Sequence, residues 1–359
     1  MSAPILQPGE GSIRSDEYLA ADRPLWGRLP CAVDSWVLSV PSGSEVTVDT
    51  ISHEGILEDQ GRDPIAFFRG HGVDPDAVLR DAIAIAASQG PRDPAKDGPH
   101  VITGPIRVEG AQPGDLLKLT VVDLQRRVPY GVVSNRHGRG ALAGEFPEGP
   151  GNVSVFAPVI EGPGGEARGS IALRPGSVEA ATFALRPFLG IMGVAVAGDE
   201  RPHSVPPGPH GGNIDINLLG EGASLYLPVQ VAGALAYFGD PHFAQGEGEV
   251  ALTAMEASLR ATLRFEVLAR DEAEAEFGEL AGPLGETAEF LIPTGLDPDL
   301  DEAMRACVRA AIGLIAARYG MDRAHAYAYL SAATDFNISQ VVDLVSGVHA
   351  RIRKADFGG

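Results

Sequence analysis

The chain has 359 residues, enough to bury a sizeable core, with 44% hydrophobic and 21% charged residues, so it reads as globular rather than disordered. Its 45 Gly and 28 Pro make up about a fifth of the sequence, where roughly 12% is usual, which implies a folded, turn-rich, strand-rich protein. The formal charge of -20 argues against nucleic acid and against anionic membrane surfaces as partners.

The predicted elements follow in chain order. Short strands fit 36–40 and 44–49. Asp74 can cap a helix that starts at Pro75, runs through AVLRDAIAIAAS and stops at Gly90. After Gly114-Asp115, the run LLKLTVVDL alternates, with Leu117, Leu119 and Val121 inward. A strand is expected across 225–231. The clearest one is 258–268, where Leu259, Ala261, Leu263, Phe265 and Val267 form a buried face and Arg260, Thr262, Arg264 and Glu266 a wet one. A short strand at 289–292 precedes the best helix, opened by Asp297-Pro298 and closed by Gly320. Leu300, Met304, Cys307, Val308, Leu314 and Ile315 are its apolar stripe, which makes Cys307 packing. A second helix follows from Asp322. Stretches 89–100, 138–152 and 198–212 read as loops. The sum is a mostly-β protein with an α-rich C-terminal portion.

Two cysteines, Cys31 and Cys307, argue against a disulfide framework and suggest a reducing compartment. No apolar run is long enough for a membrane helix, and the first residues lack the pattern of a signal peptide, so the cytoplasm is expected. No P-loop, dinucleotide fingerprint, G-x-S-x-G elbow, H-E-x-x-H or paired C-x-x-C occurs. His53-Glu54 begins an H-E pair, but Leu57 stands where the second histidine would be.

Chemistry-bearing residues concentrate in 210–256. One cluster is His210-Gly-Gly-Asn213-Ile-Asp215, and the second runs from Gly239-Asp240-Pro-His242 to Gln245-Gly-Glu247-Gly-Glu249. Residues two apart project from one face of an extended chain, which pairs Asp240 with His242, Asn213 with Asp215, and Gln245 with Glu247 and Glu249. Flanking glycines let the backbone curl around a small ligand. Carboxylates and imidazole gathered this way suit a divalent metal, yet Asp and Asn beside Gly are also the commonest turn-formers, so both readings stand.

HGGNID, the run GASLYLPVQVAGALAYFGDPHFAQGEGEV and DFNISQVVDLVSGVHARI resemble the acetamidase/formamidase family of amide hydrolases. So does the block from His100 to Asp115, HVITGPIRVEGAQPGD. The resemblance spans roughly 35–355. It implies a β-sandwich with a CUB-like core, an added α+β portion and C-terminal helices. It also implies cytoplasmic homo-oligomers, an associated divalent metal, and cleavage of a short, neutral aliphatic amide to carboxylate and ammonia. On this view residues 1–34 are an N-terminal extension and 35–359 one catalytic unit, β-rich to about 295 and α-rich over 296–359.

Asn213 and Asp215 match the family's G-G-N-x-D. Asp240, His242, Gln245, Gly246, Gly248 and Glu249 match G-D-x-H-x-x-Q-G-D-G-E. Glu247 stands where the family has Asp, Pro241 and Phe243 replace smaller residues, and 51–64 lies outside the pattern. The expected site is a zinc ion, with calcium or manganese as alternatives, held by His53, Asp215, Asp240 and His242 or most of them. Glu249, or less favourably Glu247, would act as general base. Asn213 or Gln245 would bind the amide, and His100 would stand behind the metal or against substrate. Phe238, Phe243 and Tyr226 are offered for an acyl pocket. A carbohydrate- or small-molecule-binding β module and a metal-dependent esterase or lactonase are the competing readings.

Overall fold

The protein is described here by a computed structural model that covers residues 5–88, 93 and 96–358. Two large sheets build it. The first has nine strands in the spatial order Glu17–Leu19, Glu45–Asp49, Leu259–Leu268, Leu116–Arg126, Ser224–Pro228, Leu284–Glu286, Phe290–Asp297, Ser346–Arg353 and Asp335–Gln340. The second has eleven. Its main path runs Ala180–Ala184, Ala167–Ala172, Asn152–Glu161, Tyr130–Arg136, Met255–Glu256, Ala236–Ala244, Phe188–Gly193 and Gly211–Asn213. Val101–Glu109 also pairs with Ala236–Ala244 and carries Leu25–Trp26 and Leu38–Pro41. The main core draws on both sheets, as the edge-to-face contact of Phe238 with Phe265 at 5.8 Å shows.

The alternation of 258–268 and 114–124 is realised as strands, with Leu117, Leu119, Val121, Leu259, Ala261, Leu263 and Phe265 buried. The wet face of 258–268 is only partly wet, because Arg260 and Thr262 are buried too. The N-terminal segment covers them. Arg260 donates to the carbonyls of Gln7, Glu10 and Ser12, and Thr262 and Ser15 both bond the Thr47 hydroxyl. Residues 5–34 also supply one strand to each sheet, Glu17–Leu19 and Leu25–Trp26.

The helix expected from Pro75 is two pieces, a 3-10 turn Pro75–Ala77 and an α-helix Arg80–Ser88. Val78 between them is extended, and Val78 and Leu79 are drawn into the core. Asp74 does cap the first piece, accepting from the Asp76 amide; the stop at Gly90 lies outside the described residues. The long helix is Leu300–Tyr319, capped by Asp299 rather than Asp297, which ends a strand, and closed by Gly320 in the left-handed region. Cys307, Leu314 and Ile315 face inward as expected, whereas Met304 is exposed and Ala303 takes its place. Helix Arg323–Ala333 follows from its Asp322 cap. The C-terminal portion then returns to strand, adding the hairpin of Asp335–Gln340 and Ser346–Arg353 to the first sheet.

One buried ionic knot ties the N-terminal segment to the first sheet. Asp49 accepts from Arg260 at 2.7 and 3.0 Å and from the Tyr18 hydroxyl at 2.6 Å, with Arg127 at 3.5 Å. Removing one partner of such a pair strands a buried charge. Asp49→Ala is therefore expected to cost about 3–5 kcal/mol in denaturant unfolding. A loss below about 1 kcal/mol, the value of a surface pair, contradicts this account.

Candidate active site

The strand Ala236–Ala244 carries the centre of the site and is buried along nearly its whole length. Asp240 on it has a φ of 50°, which breaks the alternation that the spacing of Asp240 and His242 relies on. The two side chains converge all the same: His242 Nε2 lies 3.0 Å from Asp240 Oδ2 and 3.0 Å from Glu256 Oε1. Asp215 and Glu249 also have positive φ, at 49° and 46°. Three site acids thus hold a conformation that non-glycine residues rarely adopt.

Room for this convergence comes from Gly190 on the neighbouring strand. A Cβ there would stand 2.5 Å from Asp215 Oδ1, 2.6 Å from Asp240 Oδ2 and 2.8 Å from the His242 ring. Only glycine leaves the space open.

Two further histidines face Asp240. His53, in the turn after Glu45–Asp49, places Nδ1 3.6 Å from Asp240 Oδ1 and 3.9 Å from Glu256 Oε2. His100, just before Val101–Glu109, places Nε2 3.6 Å from the same Asp240 oxygen, and its Nδ1 bonds Ser204 at 2.9 Å. Glu54 lies 3.4 Å from His53 Nε2 and accepts from Ser134 at 2.6 Å and from Gln60. It stands behind His53, on the ring edge away from Asp240.

Charge is out of balance here. Glu54, Asp215, Asp240, Glu249, Glu256 and Asp343 are buried, and among the described residues the buried histidines that face them are His53, His100 and His242. Burial alone would lower His53, but Glu256, Asp240 and Glu54 push it up to about 10. His242 likewise sits well above the imidazole range, against burial, through Glu256 and Asp240. Burial takes His100 the other way, down to about 4. Among the acids, burial, aided by Asp240 and Glu256, lifts Asp215 to about 8. Burial and Asp240 lift Glu256 to about 7. Glu249 is raised by burial and Asp215, and Asp343 by burial and Asp215.

These groups could hold a divalent cation. Three triads bring their ligand atoms within 4.8 Å of one another: His53, His100 and Asp240; Asp240, His242 and Glu256; Asp215, His242 and Glu249. Several of the atoms concerned are buried without a hydrogen-bond partner, including His53 Nδ1, Asp240 Oδ1, Glu256 Oε2 and both Asp215 oxygens. Imidazole and carboxylate donors so oriented fit a cation that takes N and O ligands.

All four expected metal ligands, His53, Asp215, Asp240 and His242, enter this cluster, as do Glu249 and His100. Asn213 lines the cleft above it, with its Oδ1 buried and unpartnered. Gln245 has another task. Its Oε1 accepts from His242 Nδ1 at 3.0 Å, and its Nε2 donates to the carbonyls of Asp215 and Ser339. Glu247 is not brought in: it is bound by Arg351 and Asn337 outside the cluster, so Gln245, Glu247 and Glu249 share no face. Glu256, Glu54 and Asp343 escape a reading of spacing. Glu256 ends the polar segment without a glycine partner, Glu54 stands in the H-E pair, and Asp343 lies within DFNISQVVDLVSGVHARI. Cys31 and Cys307 are buried and do not line the cleft.

Fold and site together define a two-sheet β protein with a buried His/Asp/Glu centre at the floor of a cleft. The sequence profile of the Acetamidase/Formamidase family matches residues 91–199 and 195–352, and the chain belongs to that family. An acetamidase of Mycolicibacterium smegmatis is 30% identical over 200 residues, 42% of this chain and 49% of that protein. A formamidase of Methylophilus methylotrophus is 31% identical over 192 residues, 42% of this chain and 47% of that one. The chain spans about half the length of the curated relatives it matches. Acetamidase structures from Bacillus halodurans (24% identical, TM-score 0.71, 95% and 98% of the two chains) and Yersinia enterocolitica (21%, 0.72, 99% and 94%) share its fold. His53 and Glu54 lie N-terminal to the matched stretches.

Filling the space at Gly190 tests this geometry. If the cluster holds a divalent cation, Gly190→Ala should weaken its binding, titrated with zinc as the probe, about 10- to 100-fold with the circular dichroism spectrum retained. Wild-type affinity in the variant would show that the convergence of Asp215, Asp240 and His242 is not the binding centre.

Proposed function

We propose that the chain hydrolyses the C–N bond of a linear carboxamide, consuming one water and releasing a carboxylate and ammonia. The observation that carries this reading is the buried acid–imidazole cluster at the cleft floor, several of whose ligand atoms have no hydrogen-bond partner. Membership of the family and the half-length matches to an acetamidase and a formamidase support the amide as substrate, with formamide and acetamide as reference compounds.

A divalent metal, zinc by its donor set, would be held by Asp240 and His242 with His53, His100 or Glu256, and would supply a more acidic water and a polarised carbonyl. The chain's own groups do the rest. Glu249 takes a proton from the attacking water and returns it to the leaving nitrogen. Burial, with Asp215 beside it, lifts its carboxyl well above the usual range. Asn213 Oδ1 accepts an N–H of the substrate amide. Gln245 cannot bind substrate as well, because its amide is spent on His242, Asp215 and Ser339; it fixes which ring nitrogen of His242 faces the carboxylates. A reducing, cytoplasmic setting, supported by the two free buried cysteines, and a homo-oligomer complete this reading.

Ammonia release from formamide, acetamide and propionamide, with esters and ureas as controls, tests it. Amide turnover that Glu249→Gln lowers by at least about 100-fold, with the fold intact, is expected. Ester turnover without amide turnover contradicts the reading. Treatment with a chelator should abolish turnover and added zinc should restore it; full activity of the metal-stripped protein removes the metal from the scheme.

A further inference from the structure

The cleft above the site has a volume of about 830 Å³. That lies within the range of about 300–1,000 Å³ occupied by sites for much larger ligands than a one- or two-carbon amide. One part of its lining is apolar: Leu57, Leu252, Val341, Val342 and Leu344. Leu344 is 72% exposed, an apolar side chain in water at the mouth of a cleft that ends in the polar cluster.

Two of these residues are strained. Leu252 has a φ of 106° and Leu344 a φ of 65°, values that branched, bulky side chains rarely adopt and that persist only where the surroundings impose them. The surroundings do impose them. The Leu252 amide donates to the Glu249 carbonyl at 3.1 Å, so one turn sets both the acid and the leucine. The Leu344 loop is wound on the buried Gln340 side chain, which donates to Val345 O at 2.7 Å and accepts from the amides of Val342 and Asp343 at 2.9 and 3.2 Å. Val341 and Gly248 then stitch the two loops together, through Val341 N to Gly248 O at 3.2 Å and Gly248 N to Ser339 O at 3.1 Å. The apolar wall and the acids Glu249 and Asp343 hang on the same pair of loops.

We propose that Leu252, Val341, Val342 and Leu344 form an acyl pocket, and that the preferred substrate is a primary amide with an extended apolar acyl group, such as a medium-chain aliphatic or arylalkyl amide. This rests on the amidase reading of the same site. The aromatic residues offered from the sequence cannot serve: Phe238 and Phe243 are sealed in the inter-sheet core, and Tyr226 packs on Phe277 in the second core.

The test is kcat/KM for acetamide, butyramide, hexanamide and phenylacetamide in the full-length protein and in Leu344→Ala. Each methylene that reaches the wall is worth about fourfold, so hexanamide should exceed acetamide by at least about tenfold. Leu344→Ala should lower the hexanamide-to-acetamide ratio by about fivefold or more. Turnover of acetamide with no gain along the series, or a ratio unmoved by Leu344→Ala, overturns the acyl pocket and leaves the amidase reading standing. Loss of turnover on every amide overturns both.

Discussion

Six carboxyls and three imidazoles buried in one pocket cannot all carry their ordinary charges, because each ion taken out of water costs several kcal/mol unless an opposite charge meets it. The same chain solves that problem two ways. At Asp49 the solution is internal: Arg260, Arg127 and Tyr18 surround the carboxylate. At the cleft floor the solution is incomplete, since oxygens of Asp215, Asp240 and Glu256 and a nitrogen of His53 are buried with no hydrogen-bond partner. The first is a structural knot. The second could take up positive charge, either as protons, in line with the raised Asp215 and Glu256 carboxyls, or as a cation.

Much of the surrounding architecture is arranged to keep those groups in place. Asp215, Asp240 and Glu249 accept unfavourable backbone conformations, and Gly190, having no side chain, leaves room for Asp215, Asp240 and His242 to meet. Behind them, Gln245 fixes His242, and Glu54, with Ser134 and Gln60, fixes His53. The C-terminal hairpin reaches the site too, because Gln340 pairs with Gly248 in an isolated bridge and Ser339 O receives Gln245. The distant ends of the sequence thus share one small volume.

The parts legible in the sequence are those governed by local pattern. Alternation marks the strands at 116–126 and 259–268, since each packs one face on the core. Aspartates and a glycine mark the two C-terminal helices. The strands of 152–184 left no such mark, because Asn152–Glu161 and Ala180–Ala184 bury little on either side. In the site, the glycine-flanked acids and His242 were visible as a cluster, and the family resemblance placed them in an amidase. Their convergence has a cause that spacing does not carry: a left-handed Asp240, not a shared strand face, turns its carboxylate onto His242. Glu247 and Glu249 are equivalent by spacing and opposite in fate, because Arg351 and Asn337, a hundred residues away in sequence, hold Glu247 outside. Gly190, Glu256 and Asp343 depend on tertiary placement that no local pattern encodes.

Buried carboxylates and imidazoles around shared Asp240 and His242 are the centre of this account, and locating the cation tests it most directly. Anomalous diffraction at the zinc edge from crystals of active protein should give a peak within coordination distance, about 2.0–2.2 Å, of Asp240 and His242. Catalytically active crystals with no metal peak among these residues would contradict it.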